Sequence, residues 1–183
     1  MKVFLDTEFT SLTMYSSLLS LALVSEDGRE FYAEIYPFDK KVSKWVKENV
    51  LDNFLYKNYT DYFKLTKHND KGTEYSYHCN GFDYEIVDEL AKWLKQFDEI
   101  EIWSDCLAYD WVLFCDLFGG AEKIPKNINY IPFDIATLFK IKGINPDITR
   151  EDFILDIKIQ GVKHNALYDA KVIKACYDKL MKL

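Results

Sequence analysis

Two acidic residues separated by one position, Asp6 and Glu8, follow the apolar run Val3-Phe4-Leu5 near the start of the chain. Side chains two positions apart on a β-strand project from the same face, so the two carboxylates should lie side by side while Thr7 points away. Adjacent carboxylates repel one another unless a cation lies between them, and hard divalent ions such as Mg²⁺ and Mn²⁺ prefer oxygen ligands. A pair of solvated acids at a strand end has the same pattern, so this motif alone leaves both interpretations open.

Three further residues, Asp110, His164 and Asp169, could contribute to the same chemistry. Asp110 falls in the first turn of a predicted helix, where it could complete a metal site or simply interact with the positive end of the helix dipole. His164 precedes the last predicted helix, and Asp169 lies about one turn inside it. A His and an Asp at this spacing occur often by chance, but Ala166 and Ala170 are small enough to let this helix approach the sheet closely. That approach would bring Asp169 near the strand acids.

The conjunction of these motifs is more specific than any one of them. The first pair of acids ends a strand, Asp110 opens a middle helix, and the His–Asp pair opens the last helix. This order lets all five side chains converge on one place. The sequence therefore predicts four carboxylates and one imidazole around a pair of divalent cations, Mg²⁺ or Mn²⁺.

Hydrophobic patterning predicts the elements that must position these residues. Short apolar or alternating runs indicate strands, and apolar residues at three- and four-residue steps indicate helices. Strands are expected at residues 2–6, 18–25, 31–36, 99–104 and 130–131, and helices at 44–49, 84–97, 109–118, 135–142 and about 165–181. Ser43 is the predicted N-cap of the first helix. Three antiparallel strands followed by alternating helices and strands predict an α/β fold, a ribonuclease-H-like mixed sheet of three antiparallel and then parallel strands, flanked by helices.

The three motifs resemble those of a known enzyme superfamily. DTEFTSL, LAYD and HNALYDA are similar to the first, second and third motifs of the DEDDh branch of 3′-5′ exonucleases, which includes RNase T, oligoribonuclease and polymerase proofreading domains. Within that branch the chain most resembles the small exoribonuclease family known from mycobacteria. That similarity lies in EDGREFYAE, in the residues around Trp45, and in the run from Glu101 through AYDWVLFCDLFG. We therefore expect a single exonuclease domain over residues 1–183, with a loop or insertion at about 53–81.

The resemblance implies roles for the five converging residues. Asp6, Glu8 and Asp169 would bind the ion on the nucleophile side, Asp6 would bridge to a second ion, and Asp110 would contribute through water. His164 would take the proton of the attacking water as general base. Phosphodiester hydrolysis suits such a site, because two ions clamp the attacking and leaving oxygens.

The substrate and the partners are also implied by the resemblance. Single-stranded or 3′-overhang nucleic acid is expected, with RNA favoured, and Phe9, Thr10 and Leu12 are candidates for contact with it. A homodimer is possible by analogy. Two departures from the family pattern bear on the substrate strand: Ser11 replaces a usual Gly, and Asp105-Cys106 replaces small polar residues. Asp105 is interpreted as a surface residue rather than a sixth acid of the site.

Two alternative functions stay open. One is a DNA-directed 3′-5′ exonuclease, because contact with a 2′-hydroxyl group decides between RNA and DNA and the sequence does not show it. The other is a non-catalytic module that binds nucleic acid or protein on the same fold. Loss of any one of the five groups would favour the binding module, and the sequence retains all five.

Composition limits the classes of protein that the chain can belong to. A hydrophobic content of 49% suffices for a core without disulfides, and the four cysteines form no C-x-x-C pair, so they are expected to be buried free thiols. A net charge of −7 argues against tight non-specific binding to duplex nucleic acid, although bound divalent ions would offset part of it. The longest apolar run, residues 18–24, is too short to cross a membrane. A cytoplasmic protein without membrane contact is expected.

Overall fold

The computed structural model describes residues 1–36, 41–56, 64–70 and 73–183. Within these ranges the chain forms one mixed sheet with helices packed on both faces. The strands are β1 (Lys2–Phe9), β2 (Leu18–Ser25), β3 (Glu30–Ile35), β4 (Lys64–Asp70), β5 (Thr73–Gly81), β6 (Glu101–Ser104) and β7 (Phe133–Asp134). The helices are α1 (Lys44–Asn49), α2 (Asp83–Leu94), α3 (Leu107–Leu117), α4 (Ile135–Ile141), α5 (Arg150–Phe153) and α6 (Ala166–Leu180), with single 3₁₀ turns at Leu51–Asn53 and Ala121–Lys123.

The sheet has the order β4-β5-β3-β2-β1-β6-β7 among the described residues. β1, β2 and β3 form an antiparallel meander. β6 runs parallel to β1, and β7 runs parallel to β6. This arrangement confirms the predicted ribonuclease-H-like sheet of three antiparallel and then parallel strands, flanked by helices.

Side chains of β1 alternate between the two layers of helices. Val3 and Leu5 lie in one core cluster with Trp93 of α2 and Phe114 of α3. Phe4 faces the opposite side and lies in a second cluster with residues of α4 and α6. Because alternation continues along the strand, Asp6 and Glu8 share the α6 side with Phe4, and Thr7 faces the α3 side.

Close packing of α6 depends on its small residues. Ala166 and Ala170 are fully buried in a cluster with Ala22 of β2 and Tyr32 of β3. A larger side chain at either position would overpack this contact and destabilise the fold by about 1–3 kcal/mol. The small residues therefore fix the distance at which the start of α6 lies over the ends of β1 and β2, as the sequence predicted.

The stretch predicted to be a loop or insertion at about 53–81 contains two strands, so a loop is wrong for residues 64–70 and 73–81, and an insertion stays a prediction. β5 pairs in parallel with β3, and β4 pairs antiparallel with β5. Tyr77 and Cys79 of β5 are buried in the core cluster shared with α2 and α3. Their period-two spacing was a strand signal that the polar, Tyr-rich composition obscured. Residues 57–63 and 71–72 lie outside the described part of the chain.

A second correction concerns the last predicted strand. Residues 130–131 are not a strand: Tyr130 and Ile131 are exposed, and β7 comprises Phe133–Asp134 instead. An isolated parallel bridge joins Ile128 to Ile100, just before β6, and Pro132, which has no N–H for a sheet hydrogen bond, separates it from β7. The predicted helix of residues 44–49 is confirmed as α1, and the Ser43 side chain accepts a hydrogen bond from the Val46 N–H as its N-cap.

Candidate active site

Glu8, His164 and Asp169 come together where β1 meets the start of α6. One potential ligand atom from each of the three side chains lies within 4.8 Å of the others. The backbone N–H of His164 donates a hydrogen bond of 2.7 Å to the Asp169 carboxylate. The loop before α6 and the first turn of α6 are therefore fixed relative to one another, and both face the end of β1.

Asp110 reaches the same region from the other side of the sheet. It lies in the first turn of α3 and is fully buried. One of its carboxylate oxygens accepts a hydrogen bond of 2.5 Å from the Thr7 hydroxyl, and the other accepts one from the Ser104 hydroxyl. Thr7 points away from Glu8, as the strand alternation predicted. Its use in fixing Asp110 was not foreseen, because the two residues are far apart in the chain.

Burial raises the pKa values of all four carboxyl groups, and the charges of neighbouring acids add to this for Asp6 and Glu8. Burial, followed by the charges of Asp110, Asp169 and Glu8, raises the pKa of Asp6 well above its usual value. Burial and the charges of Asp169 and Asp110 raise the pKa of Glu8 to about 8. Burial raises the pKa of Asp169 to about 7 and that of Asp110 to about 6, although hydrogen bonds oppose both shifts.

Such a cluster of carboxylates is chemically suited to divalent cations. Without a cation, neighbouring buried carboxylates retain protons at neutral pH, because ionising all of them together is unfavourable. A divalent ion removes this penalty and satisfies oxygen ligands of the type present in the cluster. The raised pKa values of the carboxylates and the proximity of Glu8, His164 and Asp169 thus fit the predicted metal site.

His164 has an unusual backbone conformation, and the pKa of its imidazole is lowered. Its φ is 62°, in the left-handed region that residues with a Cβ rarely adopt. Its ring contacts the ring of Trp45 edge to face, with 5.0 Å between centroids. Burial and the nearby Lys163 charge lower the pKa of His164 from its usual 6.5. The imidazole is therefore able to accept a proton at neutral pH.

A cavity of about 600 Å³ opens over these residues and is also lined by Phe9, Thr10 and Leu12. The Phe9 ring stacks on that of Tyr109 at 5.3 Å. Thr10 is buried, and its hydroxyl accepts a hydrogen bond of 3.0 Å from the Ser17 N–H, so this side chain holds the turn after β1. Leu12 is 71% exposed at the cavity. Of the three predicted substrate contacts, Phe9 and Leu12 present apolar surface, whereas the Thr10 hydroxyl is engaged as an acceptor.

Asp105 lines the cavity, is paired with Arg150 and has a side chain that is 29% exposed, so it lies at the surface beside the acidic cluster. Arg150 donates two hydrogen bonds of 2.9 and 2.6 Å to the Asp105 carboxylate. Asp105 is close enough for its charge to raise the pKa of Asp6. Arg150 was not predicted, because a pairing across 45 positions leaves no local signal. The expectation of buried thiols is wrong for Cys106, which is exposed; Cys79, Cys115 and Cys176 are buried, and all four thiols are free.

Comparison with solved structures identifies nucleases as relatives in fold. The chain aligns over 99% of its length with cell-death related nuclease 4 (CRN-4), of which it spans 63%, with a TM-score of 0.64 and 12% identity. It aligns equally completely with the nuclease domain of 3′hExo, a DEDDh family member bound to rAMP, covering 91% of that chain with a TM-score of 0.61 and 12% identity. These similarities show that the fold is the ribonuclease-H-like fold of DEDDh nucleases.

Comparison of sequences is more specific. The chain is 27% identical over 146 residues to the 3′-5′ exoribonuclease Rv2179c of Mycobacterium tuberculosis strain H37Rv, covering 78% of this chain and 76% of that enzyme. The match to the corresponding enzyme of strain CDC 1551 has the same extent and identity. Residues 1–181 match the 3′-5′ exoribonuclease Rv2179c-like domain. The chain belongs to the Rv2179c-like 3′-5′ exoribonuclease family, and it is an enzyme with 3′-5′ exonuclease activity.

Among the described residues, no helix combines the length and apolar character needed to span a membrane.

Proposed function

We propose that the chain removes nucleotides from the 3′ end of RNA, with Asp6, Glu8, Asp110 and Asp169 as metal ligands and His164 as general base. The observation that carries this proposal is the approach of Glu8, His164 and Asp169 to within 4.8 Å of one another. These residues come from opposite ends of the chain and meet at a cavity large enough for a nucleotide. Packing alone gives no reason to bury acids of one charge together.

Two divalent ions, Mg²⁺ or Mn²⁺, are the proposed cofactors. Asp6, Glu8 and Asp169 would hold them from the α6 side of the sheet and Asp110 from the α3 side. When bound, such ions stabilise the negative charge that develops at the scissile phosphate and acidify a water molecule. Thr7 and Ser104 orient the Asp110 carboxylate by donating to both of its oxygens, so its position does not depend on the ions.

His164 is proposed to take the proton of the attacking water. A ring nitrogen of His164 lies near the carboxylates of Glu8 and Asp169, where that water would be activated. The lowered pKa of His164 keeps the imidazole unprotonated at neutral pH, as a general base must be. The edge contact with Trp45 limits rotation of the ring, which favours a constant direction for proton transfer.

The terminal nucleotide is proposed to lie along the apolar side of the cavity. Leu12 and Trp45 are largely exposed there and offer surface on which a base can pack. Phe9 would support this surface through its stack on Tyr109. The Thr10 hydroxyl accepts from the Ser17 N–H and keeps its own proton to donate to the substrate. Because the net charge is −7, binding of the substrate should depend on contacts with its 3′ end and on the bound metal ions rather than on a basic surface.

The test is metal-dependent release of nucleotides from end-labelled oligonucleotides. Matched single-stranded and 3′-overhang RNA and DNA should be incubated with Mn²⁺ or Mg²⁺, using a label that distinguishes removal from the 3′ and 5′ ends. We expect stepwise shortening from the 3′ end of RNA, faster than that of DNA, and none in EDTA. His164→Ala should lower turnover by about 10²- to 10⁴-fold without changing the circular dichroism spectrum.

The same assay separates the alternatives. Faster digestion of DNA than of RNA would establish the DNA-directed exonuclease. No digestion of any substrate, together with binding of the same oligonucleotides, would establish a non-catalytic binding module. Wild-type rates in His164→Ala would remove His164 from the mechanism while leaving the metal site in place.

We also propose a cytoplasmic homodimer. The four free thiols suit a reducing compartment. Val112, Tyr130 and Ile131 are largely exposed, and Val112 lines a groove of about 590 Å³ between α3 and β7. Exposed apolar surface of this kind is typical of protein interfaces. Sedimentation velocity should give the mass of two chains, and Ile131→Asp should shift it to that of one.

A further inference from the structure

A chain of hydrogen bonds behind the cavity begins at a carboxylate that the proposed reaction does not use. Glu34 of β3 is fully buried. It accepts hydrogen bonds of 2.5 Å from the Tyr32 hydroxyl, 2.6 Å from the Leu55 N–H and 3.2 Å from the Tyr56 N–H. The segment after α1 is therefore attached to the sheet at one buried carboxyl group whose oxygens are well satisfied.

From this anchor the hydrogen bonds continue to the loop that carries His164. The Asn165 side-chain amide donates to the Tyr32 hydroxyl at 3.4 Å and to the Asn53 carbonyl at 3.0 Å. In return, the Asn53 side-chain amide donates to the Lys163 carbonyl at 3.1 Å. The residues immediately before and after His164 are thus both hydrogen-bonded to Asn53.

His164 needs such support because of its backbone conformation. A residue with a Cβ at a φ of 62° is strained, and it holds this conformation only where its surroundings fix it. The hydrogen bond from the His164 N–H to Asp169 fixes the loop on the side of the carboxylates. The bonds to Asn53 fix it on the opposite side, and the contact of the ring with Trp45 brings α1 into the same assembly.

We propose that Asn53 and Asn165, anchored through Tyr32 to Glu34, are positioning residues that hold the His164 imidazole beside Glu8 and Asp169. This inference rests on the proposed role of His164 as general base. Neither asparagine is proposed to touch substrate or metal. The two asparagines act by orienting the imidazole. Replacing either of them should therefore slow proton transfer while leaving the carboxylates in place.

Each asparagine also has a local structural bond, and the variants must separate the two roles. The Asn165 side-chain oxygen caps α6 by accepting from the Tyr168 N–H at 3.4 Å. Asn165→Ser keeps a capping oxygen while removing both amide bonds. The Asn53 amide also donates to the Asn49 carbonyl at 2.6 Å. Asn145→Ala is therefore the control for Asn53→Ala. It removes a local hydrogen bond of 3.0 Å, which the Asn145 side chain accepts from the Asp147 N–H, and Asn145 is far from the His164 loop in the chain.

The first measurement compares steady-state kinetics on a 3′-labelled RNA with Mn²⁺ affinity from calorimetry. Asn165→Ser and Asn53→Ala should each lower kcat by about 10- to 100-fold, because a displaced imidazole takes the proton of the attacking water less efficiently. Their KM values and Mn²⁺ affinities should stay within about threefold of the wild type, because the carboxylates are unchanged. Asn145→Ala should have wild-type kinetics. If a variant does not fold, Tyr32→Phe removes the middle of the network with the smallest change in volume.

The second measurement is independent of catalysis. The NMR signals of the His164 ring are assigned by comparison with His164→Ala and followed in the metal-free protein. In Asn165→Ser and Asn53→Ala they should move toward the values of an exposed histidine, and in Asn145→Ala they should not move.

Unchanged ring signals, or a kcat within twofold of the wild type in both variants, would overturn the inference. So would a parallel loss of Mn²⁺ affinity and of kcat, which would indicate general damage to the site. A wild-type protein without nuclease activity would refute the proposed function, and the ring signals would still decide whether the network positions His164.

Discussion

Removing a negative charge from the site should stabilise the metal-free protein. Glu8→Gln preserves the shape of the side chain and eliminates its charge. Burial and the charges of Asp169 and Asp110 raise the pKa of Glu8 from 4.5 to about 8. Because the folded-state pKa lies above the unfolded one, the Glu8 carboxyl is protonated in both states below about pH 4.5, and its ionisation does not affect stability there. It then lowers the free energy of unfolding progressively as the pH rises toward about 8.

The size of the effect follows from the two pKa values. Full ionisation of a carboxyl whose pKa moves from 4.5 to about 8 corresponds to at most ~4–5 kcal/mol. Water entering the open cavity and rearrangement of the other acids screen part of this repulsion. We therefore expect Glu8→Gln to add about 2 kcal/mol at pH 8. For a chain of this size that raises Tm by roughly 4–8 °C.

The assay is thermal unfolding followed by circular dichroism in EDTA at several pH values between 5 and 8.5. Glu122→Gln, at an exposed position on the 3₁₀ turn, is the matched control and should melt like the wild type. Adding Mn²⁺ should reverse the order at pH 8. The wild type gains stability by binding the ion, whereas Glu8→Gln has lost a ligand and gains less.

Two results would refute this account of the site. One is a metal-free Glu8→Gln that melts at or below the wild-type temperature at pH 8. The other is a stabilisation of equal size at pH 5 and pH 8, which would show that the charge of Glu8 is not its cause.

Three further predictions concern the surroundings of the cluster. Thr7→Val leaves a buried Asp110 oxygen without its donor and should lower the free energy of unfolding by about 1–3 kcal/mol at pH 8, measured by urea denaturation. Gly161→Ala should lower the free energy of unfolding by more than about 1 kcal/mol and slow turnover. The φ of Gly161 is 139°, and a Cβ there would lie 2.7 Å from the Tyr168 ring. Gly143→Ala, also at positive φ but with open space around it, should show only the conformational strain. At saturating Mn²⁺, kcat should fall on acidification with a midpoint below 6.5, because the pKa of His164 is lowered, and His164→Ala should lack this limb of the pH profile.

Hydrophobic runs and capping residues in the sequence predicted the strands and helices that have such clear local signals. The apolar run of β2 and the capped start of α1 are where the sequence placed them. β4 and β5 were missed, because polar strands at the side of a sheet have little hydrophobic contrast. The spacing of Tyr77 and Cys79 was the only clue.

The candidate site was also predicted in part, and the parts that were missed depend on contacts between distant residues. Strand alternation and the order of the motifs predicted that Asp6, Glu8 and Asp169 share one side of the sheet. Contacts made across long stretches of chain could not be predicted in this way. The hydrogen bond from Thr7 to Asp110 spans 103 positions, and the pairing of Arg150 with Asp105 spans 45. Such pairs depend on tertiary packing and leave no periodicity in the sequence.

The origin of the acids in distant parts of the chain has a consequence for the cell that makes this enzyme. Asp6 and Glu8 belong to β1, whereas Asp169 belongs to α6 and His164 to the loop before it. The acids cannot assemble until that helix docks on strands made more than a hundred residues earlier. A nascent or partly unfolded chain therefore lacks the assembled acids, and nuclease activity should appear only after α6 has docked on the sheet.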